Sequence, residues 1–273
     1  MNIRASMLPG HSDCQRRSVA KQFKRKFQKL GYEFRELDPS IGSSVGTAVH
    51  ASTAILDIAL WNGTIPNVDQ AVEAAMAGFM EEVSTGCILD ATTPSVNAAQ
   101  QQIRIMTASY IPRMPMTING EPAVELGGEQ GLSADCGDGW ILTGHPDLID
   151  ERGFLLDKKT GVKQRPYQEQ FGGYSLLVRS NALAELTGVG MLYIPRLAKG
   201  KFQPPPVMQE YGIAICERNA MGVIHQIKAS MTVFDATEDL ARSFACNQSS
   251  MMCSDKYCMA RHTDFCEMTK GVL

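Results

Sequence analysis

Three features are missing from this 273-residue sequence, and each absence excludes a class of protein. No apolar run approaches the ~20 residues that a helix needs to cross a bilayer, and the N-terminus lacks the apolar core of a secretory signal. We therefore expect a cytoplasmic protein with no membrane partner. No G-x-x-x-x-G-K-[ST] phosphate loop occurs, so the chain cannot supply nucleotide-driven unwinding itself. The net charge of −3 creates no overall basic field, so any nucleic-acid surface must be local.

The composition is that of an ordinary globular protein, with 44% hydrophobic and 20% charged residues. There is no internal repeat. Helical patterns come first, followed by short strands, a helix and further strands. This order predicts one α/β domain over residues 1–273, in which a mixed central sheet is flanked by helices and by attachments at both ends.

The element boundaries follow from periodicity, turn residues and capping signals. Ser12 and Asp13 are expected to cap the first helix, Asn67 the third, and Pro94 to begin the fourth. The expected helices cover about 13–30, 42–60, 68–83, 94–110, 166–183 and 221–244. The expected strands cover 123–126, 132–136, 140–143, a hairpin within 143–160, 188–194 and 211–216, with a proline-rich loop at 201–209.

The first helix carries the one concentration of positive charge. Its apolar positions, which include Phe23 and Phe27, are expected to lie in the core. The basic side chains are either a solvated face or a lining for a single-strand channel. They are Arg16, Arg17, Lys21, Lys24, Arg25, Lys26 and Lys29.

The hairpin TGHPDLIDERGFLLDKKT, residues 143–160, holds the most informative charges. A turn centred near Glu151 and Arg152 brings Asp147 opposite Asp157, and Lys159 shares the face of Asp157 because strand side chains alternate. Two carboxylates with a lysine suit Mg²⁺, which binds carboxylates, waters and phosphate oxygens. Solvated turn residues would give the same local pattern.

The eight cysteines are unevenly distributed. Four are isolated, and four lie in the last 28 residues: Cys246, Cys253, Cys258 and Cys266. Without a secretory signal, such a cluster favours metal binding over disulfides. Four thiolates can hold a [4Fe–4S] cluster or a tetrahedral zinc ion, although the C-x2-C pairs frequent in zinc sites are absent.

Several short motifs follow one another along the chain in an order that is more specific than any single one. Together they resemble the PD-(D/E)xK nuclease superfamily, and within it the RecB-like branch with the iron–sulfur CRISPR-associated exonucleases and the AddB nuclease domain. Asp157 stands where many relatives have Glu. The matching pieces are GTAVH ending in His50, GHPDLID with Asp147, DKKTG with Asp157 and Lys159, Gln170 with Tyr174 as Q-x-x-x-Y, and Cys14 with the C-x4-C-x7-C of Cys253, Cys258 and Cys266.

The resemblance implies a restriction-endonuclease-like core and a metal-dependent deoxyribonuclease. The implied ligands of Mg²⁺ or Mn²⁺ are His50, Asp147, Asp157 and the backbone carbonyl of Lys158. Lys159 would act in catalysis, and Gln170 and Tyr174 would lie beside the site and contact DNA or position the lysine. Loss of cleavage without unfolding is the expected effect of Asp147→Ala or Lys159→Ala.

The resemblance also implies a structural [4Fe–4S] cluster on Cys14, Cys253, Cys258 and Cys266, with zinc as the alternative. It would join segments 1–36 and 244–273, and Cys246 could replace Cys14; His262 is a weaker candidate. The implied activity is exonucleolytic, on single-stranded DNA or DNA ends in recombination, repair or processing, with a separate helicase or recombination protein as a partner. A structure-selective endonuclease and an inactive DNA-binding subunit remain alternatives. The compact chain would suit a phage or a mobile element.

Overall fold

The structure is a computed structural model that describes residues 1–198 and 200–269, with side chains for all of these except 267–269. Within these residues no helix is both long and apolar enough to span a membrane. The α-helices are α1 (Leu8–Asp13), α2 (Gln15–Gln22), α3 (Lys24–Lys29), α4 (Ile41–Trp61), α5 (Val68–Ser84), α6 (Val96–Ser109), α7 (Gln168–Ser180), α8 (Ile213–Thr237) and α9 (Leu240–Ser243). The strands are β1 (Asn2–Arg4), β2 (Thr117–Ile118), β3 (Glu121–Pro122), β4 (Leu132–Asp135), β5 (Ile141–Gly144), β6 (Leu148–Ile149), β7 (Phe154–Gly161), β8 (Gly188–Pro195) and β9 (Val207–Tyr211).

The central sheet has four strands in the order β6-β7-β8-β9. β6 and β9 pair antiparallel to their neighbours, whereas β7 and β8 run parallel and pair along their full lengths. Strand β8 is buried at every position, as expected for an inner strand covered on both faces. The predicted α/β class with a mixed sheet is confirmed. A smaller sheet, β1-β5-β4, and the β2-β3 hairpin lie outside it.

Two hydrophobic cores cover the two faces of the central sheet. One contains α4, α5 and α6 together with Leu192 and Ile194 of β8. The other contains α7, α8 and the N-terminal helices, together with Leu155 of β7 and Val189 of β8. Because side chains alternate along a strand, successive residues of β7 face opposite cores. This alternation decides which helix each residue of the D-K-K sequence meets.

The two ends of the chain meet in the second core through aromatic side chains. The ring of Phe27 lies 4.7 Å from that of Phe265 and 5.1 Å from that of Phe234, both in edge-on contact. Arg16 is buried and donates to the carbonyls of Phe244 and Phe265, at 3.3 Å each. The core location expected for Phe27 and Phe23 is confirmed. The ends are therefore held together by packing and hydrogen bonds between protein groups.

The predicted continuous N-terminal helix is wrong. Cys14 is extended, with φ −154° and ψ 108°, and separates α1 from α2, and Phe23 separates α2 from α3. Ser12 and Asp13 end α1 and do not cap a helix. With this extended backbone, the side chain of Cys14 lines a pocket together with the other cysteines. Tertiary packing here overrides the local preference for helix.

Further boundaries also differ from expectation. Ser95 caps α6 by accepting from the Ala98 amide, so Pro94 lies outside the helix. The region 123–126 forms only an isolated bridge from Val124 to Leu148. The apolar run 211–216, predicted as a strand, is divided: Tyr211 ends β9, and residues 213–216 open α8. Cys216 begins a helical stripe of buried residues that packs on α7. The Asn67 cap of α5 is confirmed.

Candidate active site

The β6–β7 hairpin brings the two predicted carboxylates together. Leu148 pairs with Leu156, so Asp147 and Asp157 flank the last pair of the ladder. Oδ2 of Asp147 accepts a hydrogen bond of 2.7 Å from the backbone amide of Lys158. The turn is held by Asp150, whose buried carboxylate accepts from the amides of Arg152 and Phe154. The sequence therefore fixes this register through the turn and through the buried leucines.

Helix α4 supplies His50, whose Nδ1 lies 3.4 Å from Oδ2 of Asp147. One turn earlier, Gly46 packs directly on β7: a Cβ there would lie 2.7 Å from Oγ1 of Thr160. Glycine thus permits the close approach of helix and strand that places His50 over the hairpin. Gly144, the glycine of GHPDLID, also permits a close approach: a Cβ there would lie 2.8 Å from the ring of Tyr174.

Asp157 lies at the centre of the remaining predicted residues. Its Oδ2 is 2.7 Å from Nζ of Lys159, and its Oδ1 accepts from Nε2 of Gln170 at 3.2 Å. Gln170 also donates to the hydroxyl of Tyr174 at 2.8 Å. Nζ of Lys159 lies 4.9 Å from the ring centroid of Tyr167. Gln170 and Tyr174 are thus hydrogen-bonded to each other beside the carboxylate.

Electrostatics distinguish the two carboxyl groups. Burial opposes ionisation of Asp147, but the charges of His50 and Lys159 outweigh it and lower its pKa to about 2. Burial dominates at Asp157 and, with the nearby charge of Asp147, raises its pKa to about 6 despite Lys159. For Lys159, burial is outweighed by both carboxylates, and its pKa rises. The site therefore holds negative charge most firmly at Asp147.

Lys158, between the two motif residues, faces the opposite core. Its side chain is buried, and Nζ donates to Oδ2 of Asp57 on α4 at 2.7 Å. Asp57 also accepts from the Tyr110 hydroxyl and the Arg113 amide, each at 2.8 Å. This buried network ties the helix of His50 to the strand of Asp157. Asp57 was not among the residues predicted from the sequence, although a single acidic residue within the apolar run Ile55–Ile58 of α4 was a usable signal.

The donor chemistry at this site suits a hard divalent cation. Among the described residues, Oδ2 of Asp157 is buried and, although it lies close to Lys159, accepts no hydrogen bond of good geometry. Carboxylate oxygens left without a hydrogen bond are suitable ligands for Mg²⁺ or Mn²⁺, which keep several waters. Across the described residues, no three His, Cys, Asp or Glu side chains already form a closed metal cage. The residues fit an open site that water and a phosphate would complete.

A second cluster, here called the cysteine pocket, is lined by five thiols together with Arg16 and Arg17. Sγ of Cys246 lies 3.6 Å from Sγ of Cys266. Nη1 of Arg261 lies 3.5 Å from Sγ of Cys253. His262 pairs instead with Asp255 at 3.0 Å. The five thiols are those of Cys14, Cys246, Cys253, Cys258 and Cys266.

Comparisons with known proteins bear on the fold and the family of this chain. A search of curated proteins finds no match. Among solved structures, a protein described as "Putative exonuclease" from Eubacterium rectale matches with a TM-score of 0.52, 11% identity and coverage of 99% of this chain and 94% of its own. At that identity the match shows the fold alone. LHK-Exo in complex with dAMP covers 70% of this chain and 96% of its own, at 12% identity and a TM-score of 0.28, too low to bear on the fold.

The family comparison covers almost the whole chain. The family model described as the PD-(D/E)XK nuclease superfamily matches residues 13–267, a span that includes His50, both motif aspartates and all five thiols of the cysteine pocket. The fold, the order of the motifs and this match agree. The chain therefore belongs to the PD-(D/E)XK nuclease superfamily.

Proposed function

We propose that residues 1–273 form one metal-dependent DNA exonuclease domain that acts on single strands or DNA ends. The observation that carries the proposal is the meeting of His50, Asp147, Asp157 and Lys159 from three separate segments of the chain. The complete set argues against a superfamily member that has lost its activity. Recombination, repair or end processing would supply such substrates, and a separate helicase is the partner that we propose.

The proposed metal ligands are His50, Asp147, Asp157 and the backbone carbonyl of Lys158. When bound, Mg²⁺ or Mn²⁺ would lower the pKa of a water and neutralise charge on the phosphate. Asp147 is suited to this role because it stays ionised throughout the physiological range. Its hydrogen bond from the Lys158 amide fixes the orientation of the carboxylate.

Lys159 is proposed to act directly on the reacting groups. Its ammonium keeps its proton at neutral pH because both carboxylates raise its pKa. It can therefore orient the attacking water or stabilise the negative charge that develops on phosphorus. Gln170 holds Oδ1 of Asp157 and the hydroxyl of Tyr174, so we assign to this pair the positioning of Asp157 and contact with the substrate strand.

The cysteine pocket is proposed to hold a structural [4Fe–4S] cluster through Cys14, Cys253, Cys258 and Cys266, as in the RecB-like branch. Arg16, Arg17 and Arg261 lie beside the thiols and would balance the negative charge of a thiolate-bound cluster. One observation favours the zinc alternative and the participation of Cys246. The 3.6 Å separation of Cys246 and Cys266 is close to the ~3.8 Å expected between two sulfurs 2.3 Å from one tetrahedral zinc.

Digestion of end-labelled DNA tests the proposed activity. Purified protein is incubated with Mg²⁺ or Mn²⁺ and with linear or circular DNA, both single-stranded and duplex. We expect cleavage of linear DNA only, and its loss in Asp147→Ala and Lys159→Ala, with circular dichroism unchanged. Asp138→Ala is the matched control, because within the described part of the chain this exposed carboxylate pairs only with Lys228.

Three outcomes would contradict parts of this proposal. Cleavage of circles would assign an endonuclease. Full activity in Asp147→Ala or Lys159→Ala would refute the site. Binding of DNA without cleavage by the folded, metal-loaded protein would assign a binding subunit.

Metal analysis of protein purified without oxygen tests the cysteine pocket. We expect about four irons per chain with visible absorption that bleaches on reduction, lost in Cys258→Ser and kept in Cys136→Ser, a cysteine outside the pocket. One zinc per chain without colour would establish the alternative. Iron retained in Cys14→Ser and lost in Cys246→Ser would exchange these two residues in the ligand set.

A further inference from the structure

We propose that one nucleic-acid strand is held, single-stranded, in a groove between the basic N-terminal helices and the cysteine-bearing segment, and that the groove leads to the candidate active site. This inference rests on the proposed function and deepens it, because it names the form of the substrate and the residues that hold it. We call this surface the strand groove; it is formed by two adjoining depressions.

The depressions are continuous with each other and with the site. One has a volume of about 1150 Å³ and reaches Gly144, His145 and Tyr174, next to the Asp147 motif. The other, of about 770 Å³, runs between α2 and the segment 252–259. Lys21, Lys24 and Ser6 line both, so the depressions meet at these residues.

A third, shallower depression lies on the His50 side of the site. It is lined by His50, Gly46 and Thr160, and it shares Ser43 with the 770 Å³ depression. The strand groove thus reaches the candidate catalytic residues from the Tyr174 side and from the His50 side. Tyr174 and His50 are the members of the candidate site that line these depressions.

The charge of the strand groove suits a phosphate backbone. Lys21 and Lys24 make no ion pair with any residue in the described part of the chain, so their charges are available to a ligand. Arg4 and Arg25 add to them, while Arg17 and Arg35 pair with Asp13 and Asp255. Lys256 lies on the opposite wall, beside Tyr257. The acidic residues in the lining are fewer: Glu36, Asp38 and Glu129.

The opposite wall of the groove is suited to bases. Tyr257 lies between Cys253 and Cys258, is 39% exposed, and carries the ammonium of Lys256 5.3 Å from its ring centroid. Apolar side chains of Leu37, Met252 and Met259 continue this wall. Stacking on an aromatic ring requires an exposed base face, which a duplex does not offer along its length. Phosphates on one wall and bases on the other therefore indicate a single strand.

The position of Tyr257 connects the cysteine pocket with strand binding. The segment that carries Tyr257 is anchored at Cys253 and Cys258, so a metal in the pocket would fix the base-binding wall. Loss of the metal is therefore expected to weaken strand binding while the candidate catalytic residues remain in place.

Fluorescence anisotropy with a labelled 20-nucleotide DNA tests the phosphate wall. The metal-loaded protein carries Asp157→Asn so that the DNA is not degraded. In the further variant Lys21→Gln/Lys24→Gln we expect affinity for single-stranded DNA to fall at least tenfold. The slope of log Kd against log salt should fall by about 1.4, since each single-strand phosphate contact contributes about 0.7. Lys29→Gln, on α3 but outside both depressions, is the matched control.

Tyr257→Ala tests the base wall. We expect about a tenfold loss of single-strand affinity with an unchanged salt slope, and retention of affinity in Tyr257→Phe, because stacking needs the ring and not the hydroxyl. Duplex DNA of the same length should bind more weakly and be insensitive to Tyr257→Ala. Unchanged single-strand affinity in both the lysine and the tyrosine variants would overturn the strand groove, as would tighter binding of duplex.

The failure of this inference can be told apart from the failure of the proposed function. If Asp147→Ala abolishes cleavage but the groove variants bind normally, the nuclease assignment stands and the groove is wrong. If the wild-type protein cleaves no DNA but the groove variants bind single-stranded DNA more weakly than it does, the groove stands and the nuclease assignment is wrong.

Discussion

Removal of one partner of the buried Asp57–Lys158 pair is expected to destabilise the protein and also to displace the candidate site residues from one another. Asp57→Asn keeps the shape of the side chain but leaves the Lys158 ammonium buried without its partner charge, with the Tyr110 ring 5.1 Å away. Breaking such a pair costs about 3–5 kcal/mol, which lowers Tm by roughly 6–20 °C in a protein of this size. Lys158→Met is expected to cost less, because Asp57 keeps the hydrogen bonds from Tyr110 and Arg113.

A double-mutant cycle measured by guanidinium unfolding isolates the interaction. We expect the double variant Asp57→Asn/Lys158→Met to be more stable than the sum of the single changes predicts, by about 1–3 kcal/mol. The exposed pair Lys26–Asp235 is the control, and the same cycle there should give a coupling below about 1 kcal/mol. Single changes at Asp57 and Lys158 that add to within about 0.5 kcal/mol would refute the argument.

The same variants connect stability to the site. Because Asp57 and His50 lie on one helix, and Lys158 lies between Asp157 and Lys159, the pair sets the distance between these groups. We expect Asp57→Asn to lower affinity for Mn²⁺, followed by titration calorimetry well below its Tm, as well as to lower kcat. Normal Mn²⁺ affinity in a folded Asp57→Asn protein would show that the pair stabilises the fold without positioning the site.

Three further changes test the packing around the site and between the chain ends. Gly46→Ala should cost about 1–3 kcal/mol by overpacking against Thr160 and should be rescued by adding Thr160→Ala, with both read from Tm; failure of the rescue would refute the close approach as the cause. Burial lowers the pKa of His11 to about 4, and no described group makes a hydrogen bond to its ring. The unfolded chain, with a pKa near 6.5, therefore binds the proton first, and stability falls as pH drops from 6.5 to 4. His11→Leu should remove about 3 kcal/mol of that loss in urea unfolding, and an unchanged pH dependence would contradict it. Phe27→Ala should cost about 3–5 kcal/mol by opening a cavity between the chain ends, measured by chemical denaturation, and a cost below 1 kcal/mol would show that the aromatic contacts do not hold them together.

The elements that depend on local chemistry could be predicted from the sequence. The hairpin followed from its turn residues and flanking leucines, and the Asn67 cap from the preference of that position. The D-x-K alternation placed Asp157 and Lys159 on one face because the strand period is two. These features need only neighbours within a few residues, and the ordered motifs then indicated the superfamily.

Contacts between distant segments decided what the sequence could not. Cys14 separates α1 from α2, and its side chain lines the cysteine pocket with thiols more than 230 residues away in the sequence. Residues 213–216 are helical because α8 packs on α7. Asp57 gained its place beside Lys158 only when α4 lay across β7. The free energy that stabilises each of these features comes from burial and from pairing with groups far away in the sequence, which local propensity does not include. The sequence alone therefore determined the hairpin and the identity of the candidate ligands, and only tertiary packing determined the buried pair and the strand groove that surround them.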